Sequence, residues 1–348
     1  MKYHPRLGYT YMPGSKLRVP GLNGGYLVRT NEIGFRSDRE FAATPKAGVF
    51  RALLFGDSQS AGDGMTNAQR FSDLMEAALP GLEIDNYALS GSSTDQHYLI
   101  YRELAPASHD LVIIGLYVEN ILRVKRRVVK ARDAEGVEIF RAKPYYELDD
   151  DRLTLHNIPV PKQPWTAETL PANLLPHVYS HGEANFLFRN HSRRHGILMR
   201  ALAPFGPLRH LAKQVLTRLR KFQPLPDYDT PSSPAWRLLR EILKSWIKES
   251  KTPVLIVLLP LDSSLSGLSD PAGYQARFGE LAAESGCHLF DPLPDLLKLP
   301  TSERRSFWSE SYGHLSPGGH AAIARLLTPV VQGFMGAVSL TDTKRRCS

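Results

Sequence analysis

Residues 110–118, DLVIIGLYV, are apolar at almost every position, and this run constrains the fold more than any other stretch of the chain. A strand with one wet face alternates; a run this continuous is covered on both faces, as in a parallel sheet with helices packed on either side. The rest of the chain agrees. RALLF (51–55) reads as a first strand, followed by helical periodicity over AQRFSDLMEAAL (68–79) and a second strand, LEIDNYAL (82–89). After 110–118 the alternation stops. It resumes with a helix over 235–250, a strand over 253–261, a helix near 272–285, a short strand at 288–292 and a final helix over 317–331. The expected fold is an α/β three-layer sandwich around a central parallel sheet that is split in sequence.

The interruption, 121–232, differs in kind. GVEIFRAKPYYELDDDRLTLHNIPVPK alternates like hairpin strands on either side of DDD, and the residues after Lys162 are rich in Pro, His and Arg with shorter helical pieces. It reads as a cap inserted over the carboxyl edge of the sheet, the edge at which α/β proteins keep their sites. Residues 1–50, with Gly and Pro scattered through GYTYMPGSKLRVPGLNGGY, form a lead-in of extended or hairpin-like pieces. The organisation is then lead-in 1–50, an α/β domain from 51–120 and 233–335, cap 121–232 and tail 336–348. With 348 residues, 42% hydrophobic and 22% charged, the chain can bury a large core. Its start lacks an apolar targeting core and no stretch is long enough to cross a bilayer, so a cytoplasmic location is expected. Cys287 and Cys347 are too few for a disulfide framework or a cysteine-based metal site. No cofactor or metal is expected.

The formal charge of +8 is concentrated locally, in RVKRRVVKARD (123–133), RNHSRRHG (189–196) and RHLAKQVLTRLRK (209–221). The last places Leu211, Val215, Leu216 and Leu219 at helical spacing with basic residues between them, a pattern compatible with an anionic membrane surface. A solvated helix face packed on the domain explains the same pattern. No nucleic-acid motif accompanies the charge, and no nucleic-acid partner is expected.

The chemistry sits where RALLFGDSQSAGDG (51–64) sets the first apolar run against Gly-Asp-Ser. Serine at its own pKa is a poor nucleophile and needs a base within hydrogen-bond reach and donors aimed at the developing oxyanion. Ser58 lies just past the first strand. Gly91, in NYALSGSSTDQ, follows the second strand and lets a backbone N–H approach closely; Asn120, in GLYVENI, follows the third and carries an amide donor. The base comes from YGHLSPGGHAAIA: His314 stands in a loop before Ser316-Pro317, a cap and first-turn pair opening the last helix, whereas His320 lies inside that helix and is read as a packed or surface histidine.

These segments resemble the SGNH, or GDSL, hydrolases, serine esterases and acyl-transfer enzymes with a flavodoxin-like α/β fold. The resemblance rests on FGDSQSAGDG, NYALSGSSTDQ, YVENI and GHLSPGGHAAIA, in that order. It implies Ser58 as nucleophile and oxyanion donor, Gly91 and Asn120 as the other donors, His314 as base, and a structural Asp57. The family has Asn followed by Asp where this chain has Glu119-Asn120; a carboxylate would repel an oxyanion, so the donor assignment goes to Asn120. The family's acid stands two or three residues before the histidine, where this chain has Tyr312 and Ser311, and the nearest carboxylate is Glu310. Glu310 as a substitute acid, a Ser58–His314 dyad, and loss of activity are the three outcomes consistent with that departure. TNEIGFRSDREF (30–41) resembles members found with polysaccharide and cell-envelope sugar biosynthesis. The implied function is a serine esterase or O-acyltransferase acting on an acylated small molecule, sugar or glycolipid. The alternative is a catalytically impaired binder of a glycan or partner in envelope polysaccharide biosynthesis.

Overall fold

A computed structural model describes residues 1–21, 24–133, 135–179, 223–309, 311 and 313–346. Its centre is one parallel sheet of β1 (Phe50–Gly56), β2 (Leu82–Asn86), β3 (Leu111–Tyr117), β4 (Val254–Leu259) and β5 (His288–Phe290), in the spatial order β2-β1-β3-β4-β5. Every residue of β1, β3 and β4 is buried, which is what the unbroken apolar runs require.

Right-handed crossovers fix where the helices go. The chain steps from β1 to β2 in one direction, then from β2 through β3 and β4 to β5 in the other, so the connecting helices fall on opposite faces. One layer holds α2 (Phe71–Ala78) against α7 (Pro317–Arg346). The other holds α3 (Thr94–Leu104), α5 (Pro234–Glu249) and α6 (Ala272–Ser285). The short helices α1 (Ser58–Ala61) and α4 (Asn120–Arg123) follow β1 and β3 directly.

Helix α5 shows why these residues choose their places. Pro234 occupies its first turn, where a missing N–H costs nothing. Its buried residues Ala235, Trp236, Leu238, Leu239, Ile242, Leu243 and Trp246 recur at spacings of three and four and form one stripe facing the sheet. Trp246 closes that stripe with its ring 5.2 Å from Phe55, 5.7 Å from Tyr98 and 5.5 Å from Tyr101. Truncation of such a residue costs about 3–5 kcal/mol, so Trp246→Ala would remove much of a typical domain's margin.

The point at which strand order reverses lies between β1 and β3, and a crevice opens there beyond the carboxyl ends of the strands. Two glycines let α1 sit directly over it. A Cβ on Gly56 would come within 2.4 Å of Ser60 Oγ, and one on Gly115 within 2.2 Å. Beside them the β2 ladder outlasts its strand: Tyr87 N–H donates to Leu54 O and Leu89 N–H to Gly56 O, at 2.7 and 2.9 Å. That extension delivers Ser90 and Gly91 to the same edge.

The lead-in forms two antiparallel hairpins, Lys2–His4 with Gly8–Thr10 and Lys16–Val19 with Tyr26–Arg29. The first part of the interruption forms two more, Val128–Arg132 with Glu138–Ala142 and Tyr145–Asp149 with Arg152–His156. Asp150 and Asp151 close the second with φ of 43° and 64°, left-handed values that Asp tolerates better than most residues. Lys143, at the end of the first hairpin, is buried in an ion pair with Asp95 of α3. The basic segment 209–221 lies outside the described residues, as does Cys347; Cys287 is a half-buried free thiol. Helix α7 runs to Arg346, beyond the end at 331 that its apolar spacing predicts. Helix α3 is absent from the sequence reading altogether.

Candidate active site

Asp57 turns the chain from β1 into α1. Its backbone is extended (φ −94°, ψ −155°) and its side chain accepts the Gln59 N–H at 3.0 Å, an N-cap. The helix lasts four residues before Gly62 ends it with φ 78°. Ser58, at its first position, is thereby held at the sheet edge with its hydroxyl facing the crevice.

His314 arrives on a two-residue strand, His314–Leu315, paired antiparallel with Trp308–Ser309. Ser316 then caps α7, its hydroxyl accepting the Gly319 N–H at 3.1 Å, with Pro317 in the first turn. His314 Nε2 lies 2.8 Å from Ser58 Oγ across 256 residues of sequence. A second contact fixes the loop, the Leu315 N–H donating to Gln59 Oε1 at 3.0 Å.

Gly91 sits at the cavity wall with φ 78°, a left-handed conformation that favours glycine. Among the described residues, neither the Ser58 nor the Gly91 N–H has an intramolecular acceptor. Ser90 is clamped from the lead-in. Tyr9 Oη donates to Ser90 O at 2.7 Å, the Ser90 N–H donates to Tyr11 Oη at 3.0 Å, and Ser90 Oγ donates to Asp63 Oδ1 at 2.5 Å. Burial raises the pKa of both tyrosines, so they act as neutral phenols.

Asn120 takes a different position from the one its spacing suggests. Its Nδ2 donates to Asp57 Oδ2 at 3.0 Å and to Tyr117 O at 3.1 Å, and the residue is fully buried behind the cavity. Its neighbour Arg123 lines the cavity instead, with one guanidinium N–H donating to Asp57 Oδ2 at 2.8 Å. Asp57 is thus the hub beneath the nucleophile. Burial pushes its pKa up, and Arg123, the Gln59 N–H and His314 oppose that push. The candidate acid Glu310 and its neighbour Tyr312 lie outside the described residues; Ser311 lies at the cavity.

Two other histidines are removed from consideration by burial. His97 meets Ser92 Oγ at 2.7 Å and His320 Nδ1 accepts the Phe71 N–H at 3.1 Å; burial lowers the pKa of each to about 3. Among the described residues no three metal-binding side chains converge, and no helix is long and apolar enough to cross a membrane.

The cavity above Ser58 measures about 1020 Å³, the upper end of the range for small-molecule sites. The sheet edge forms its floor, residues of the first hairpin one wall through Tyr3 and Tyr9, and the segment after β3 another through 129–133, Arg141, 160–162 and Pro164. Arg36 braces the floor from behind. Its buried guanidinium donates to Gly62 O at 2.7 Å, Met65 O at 2.6 Å and Asn67 Oδ1 at 3.2 Å. Sequence reasoning did not find Arg123, Tyr9, Tyr11 or Arg36 as site residues, because each acts through a partner distant in sequence.

No family model matches the chain, and no curated protein matches it. Among solved structures, the chain is similar to a member of the lipolytic G-D-S-L family from Veillonella parvula, with 11% identity, coverage of 81% of this chain and 98% of that one, and a TM-score of 0.41. It is also similar to a lipase/acylhydrolase from Enterococcus faecalis (14%, 82% and 96%, TM-score 0.40). An acetylxylan esterase from Geobacillus stearothermophilus gives 13%, 81% and 95%, with a TM-score of 0.39.

Proposed function

We propose that the protein is a serine esterase or O-acyltransferase that passes through an acyl-Ser58 intermediate. The observation that carries this reading is the 2.8 Å contact between Ser58 Oγ and His314 Nε2 at the switch point of the sheet, open to a cavity of substrate size. In the tautomer bearing hydrogen on Nδ1, Nε2 accepts the hydroxyl proton while Oγ bonds to the ester carbonyl carbon. The carbonyl π pair moves onto oxygen, for which the Ser58 and Gly91 N–H groups at the cavity wall are the candidate donors. Collapse expels the alcohol, which takes the proton from His314. Water or a second hydroxyl then attacks the acyl-serine, giving its proton to His314, and Ser58 is regenerated with the proton returned to Oγ. Water as acceptor makes a hydrolase and a sugar hydroxyl makes a transferase; acylated sugars and glycolipids fit the size of the cavity and its mixed apolar and polar lining.

A second reading, a binding protein on the same scaffold, draws its support from Asn120, whose amide hydrogens are spent on Asp57 and Tyr117. Labelling with a fluorophosphonate separates the two. Stoichiometric labelling of wild type, abolished in Ser58→Ala and strongly slowed in His314→Ala, supports the enzyme. An unlabelled, correctly folded wild type supports the binder. Glu310→Gln tests the acid: a large fall in kcat assigns it, and an unchanged kcat leaves a working dyad.

A further inference from the structure

The cavity wall carries more positive charge than its chemistry at Ser58 uses. Among the described residues six cationic side chains line it, Lys2, Arg123, Lys130, Arg132, Arg141 and Lys162, against three carboxylates, Asp63, Glu119 and Asp133. The carboxylates are engaged: Asp63 by Ser90 Oγ and by Arg36 at 3.7 Å, Glu119 by Arg123, and Asp133 by the Glu135 and Val137 N–H groups. Of the cations, Arg123 is tied to Asp57 and Lys130 to Glu138. Among the described residues Lys2, Arg141 and Lys162 have no carboxylate partner, and Arg132 donates only to the neutral Gly136 O.

These uncompensated cations come from three separate segments that are stitched together at the mouth. Tyr3 Oη donates to Val160 O at 2.6 Å, and the Val160 N–H donates to Pro5 O at 2.7 Å, joining the lead-in to the cap loop. Lys162 lies over the Tyr3 ring, 5.9 Å from its centroid. Arg141 stands opposite Val129 in the hairpin register, and both line the cavity. Like charges brought together by folding repel one another unless a ligand neutralises them, and a concave wall of one sign concentrates ligands of the other.

We propose that the cavity selects esters carrying an anionic group, a carboxylate or phosphate, away from the scissile carbonyl, and that Lys2, Arg141 and Lys162 hold that group. This rests on the reading of Ser58 as nucleophile for its orientation, and on the cavity wall for its specificity.

The test uses two esters matched in chain length, 4-nitrophenyl hydrogen adipate and neutral 4-nitrophenyl hexanoate. For wild type at low salt, kcat/KM for the adipate should exceed that for the hexanoate about five- to tenfold. The ratio should fall towards one in 0.5 M NaCl, where the screening length shrinks to a few ångströms, and in the Arg141→Gln, Lys162→Gln double variant. A ratio near one at low salt, or one that ignores salt and both substitutions, overturns the inference while leaving esterase activity intact. Absence of turnover on both esters counts against the nucleophile instead. Selectivity is then decided by equilibrium dialysis of methyl hydrogen adipate and methyl hexanoate against Ser58→Ala: tighter, salt-sensitive binding of the adipate supports the anion site, and equal binding overturns it.

Discussion

Gln59 reaches across from the helix of the candidate nucleophile and accepts the backbone N–H of Leu315 at 3.0 Å, so that Ser58 and His314 are each one residue from a bond that joins their two segments. Catalytic geometry is sensitive to displacements of about 1 Å, which cost up to ~10² in rate. Gln59→Leu should lower kcat on 4-nitrophenyl acetate roughly 10- to 100-fold with KM changed much less. A variant with wild-type kcat would show that the loop is held by other means.

Arg36 supplies buried donors to Gly62 O, Met65 O and Asn67 Oδ1. Arg36→Met would leave buried acceptors unpaired, at ~1–3 kcal/mol each. The expected loss is about 3 kcal/mol or more, read as a fall in the urea midpoint. A loss under ~1 kcal/mol would mean water or another side chain takes over.

Lys143 and Asp95 are both nearly inaccessible, and burial pulls the lysine pKa down while Asp95 pulls it up. Removing one partner strands a buried charge, at about 3–5 kcal/mol. Lys143→Met should therefore be strongly destabilising, and adding Asp95→Leu should recover part of the loss. Additive losses in this cycle would show that the pair is not coupled.

His97 and His320 have pKa values lowered to about 3 from an ordinary 6.5, because burial disfavours the imidazolium. Each stays neutral when folded and takes up a proton on unfolding below pH 6.5. The unfolded state binds more protons between pH 6.5 and about 3, so stability falls as pH drops through that window, by up to ~1.4 kcal/mol per histidine per pH unit. The raised carboxylates Asp57 and Asp85 act in the opposite sense, and a variant isolates the histidine term. His320→Asn should be less stable than wild type at pH 7.5, with the gap in urea midpoint narrowing by pH 5. Parallel curves would contradict the assignment.

The parts of the fold legible in the sequence are those set by local pattern. Residues 111–117 and 254–259 are strands because their continuous apolar character admits no wet face, and Ser58 and His314 stand at the ends of segments that the pattern delimits. Helix α3 was illegible because TDQH breaks the apolar periodicity. Its polar residues are buried all the same: Lys143 pairs with Asp95, 48 positions away, and Ser92 Oγ meets Nε2 of His97, while Nδ1 of His97 and Oγ1 of Thr94 have no hydrogen-bond partner among the described residues. The Ser93–Gln96 capping box was the one local signal of its start. The orientation of Asn120 was hidden for a similar reason: position along the chain places it after β3, but its amide follows Asp57, 63 residues earlier. The Arg36 contacts, which brace the whole Gly62–Asn67 loop, likewise depend on the closed structure.

The split sheet has a consequence for biosynthesis. Val112 pairs with Val254, so the inner edge of β3 stays open until the ribosome has made the entire cap and α5. At roughly 5–20 residues per second that interval lasts on the order of 10 s, during which a fully apolar strand presents an unpaired edge. The nascent chain is consequently most exposed to aggregation while the cap is being translated. A slowed stretch of codons between 125 and 250 would lengthen that exposure without altering a single residue of the finished protein.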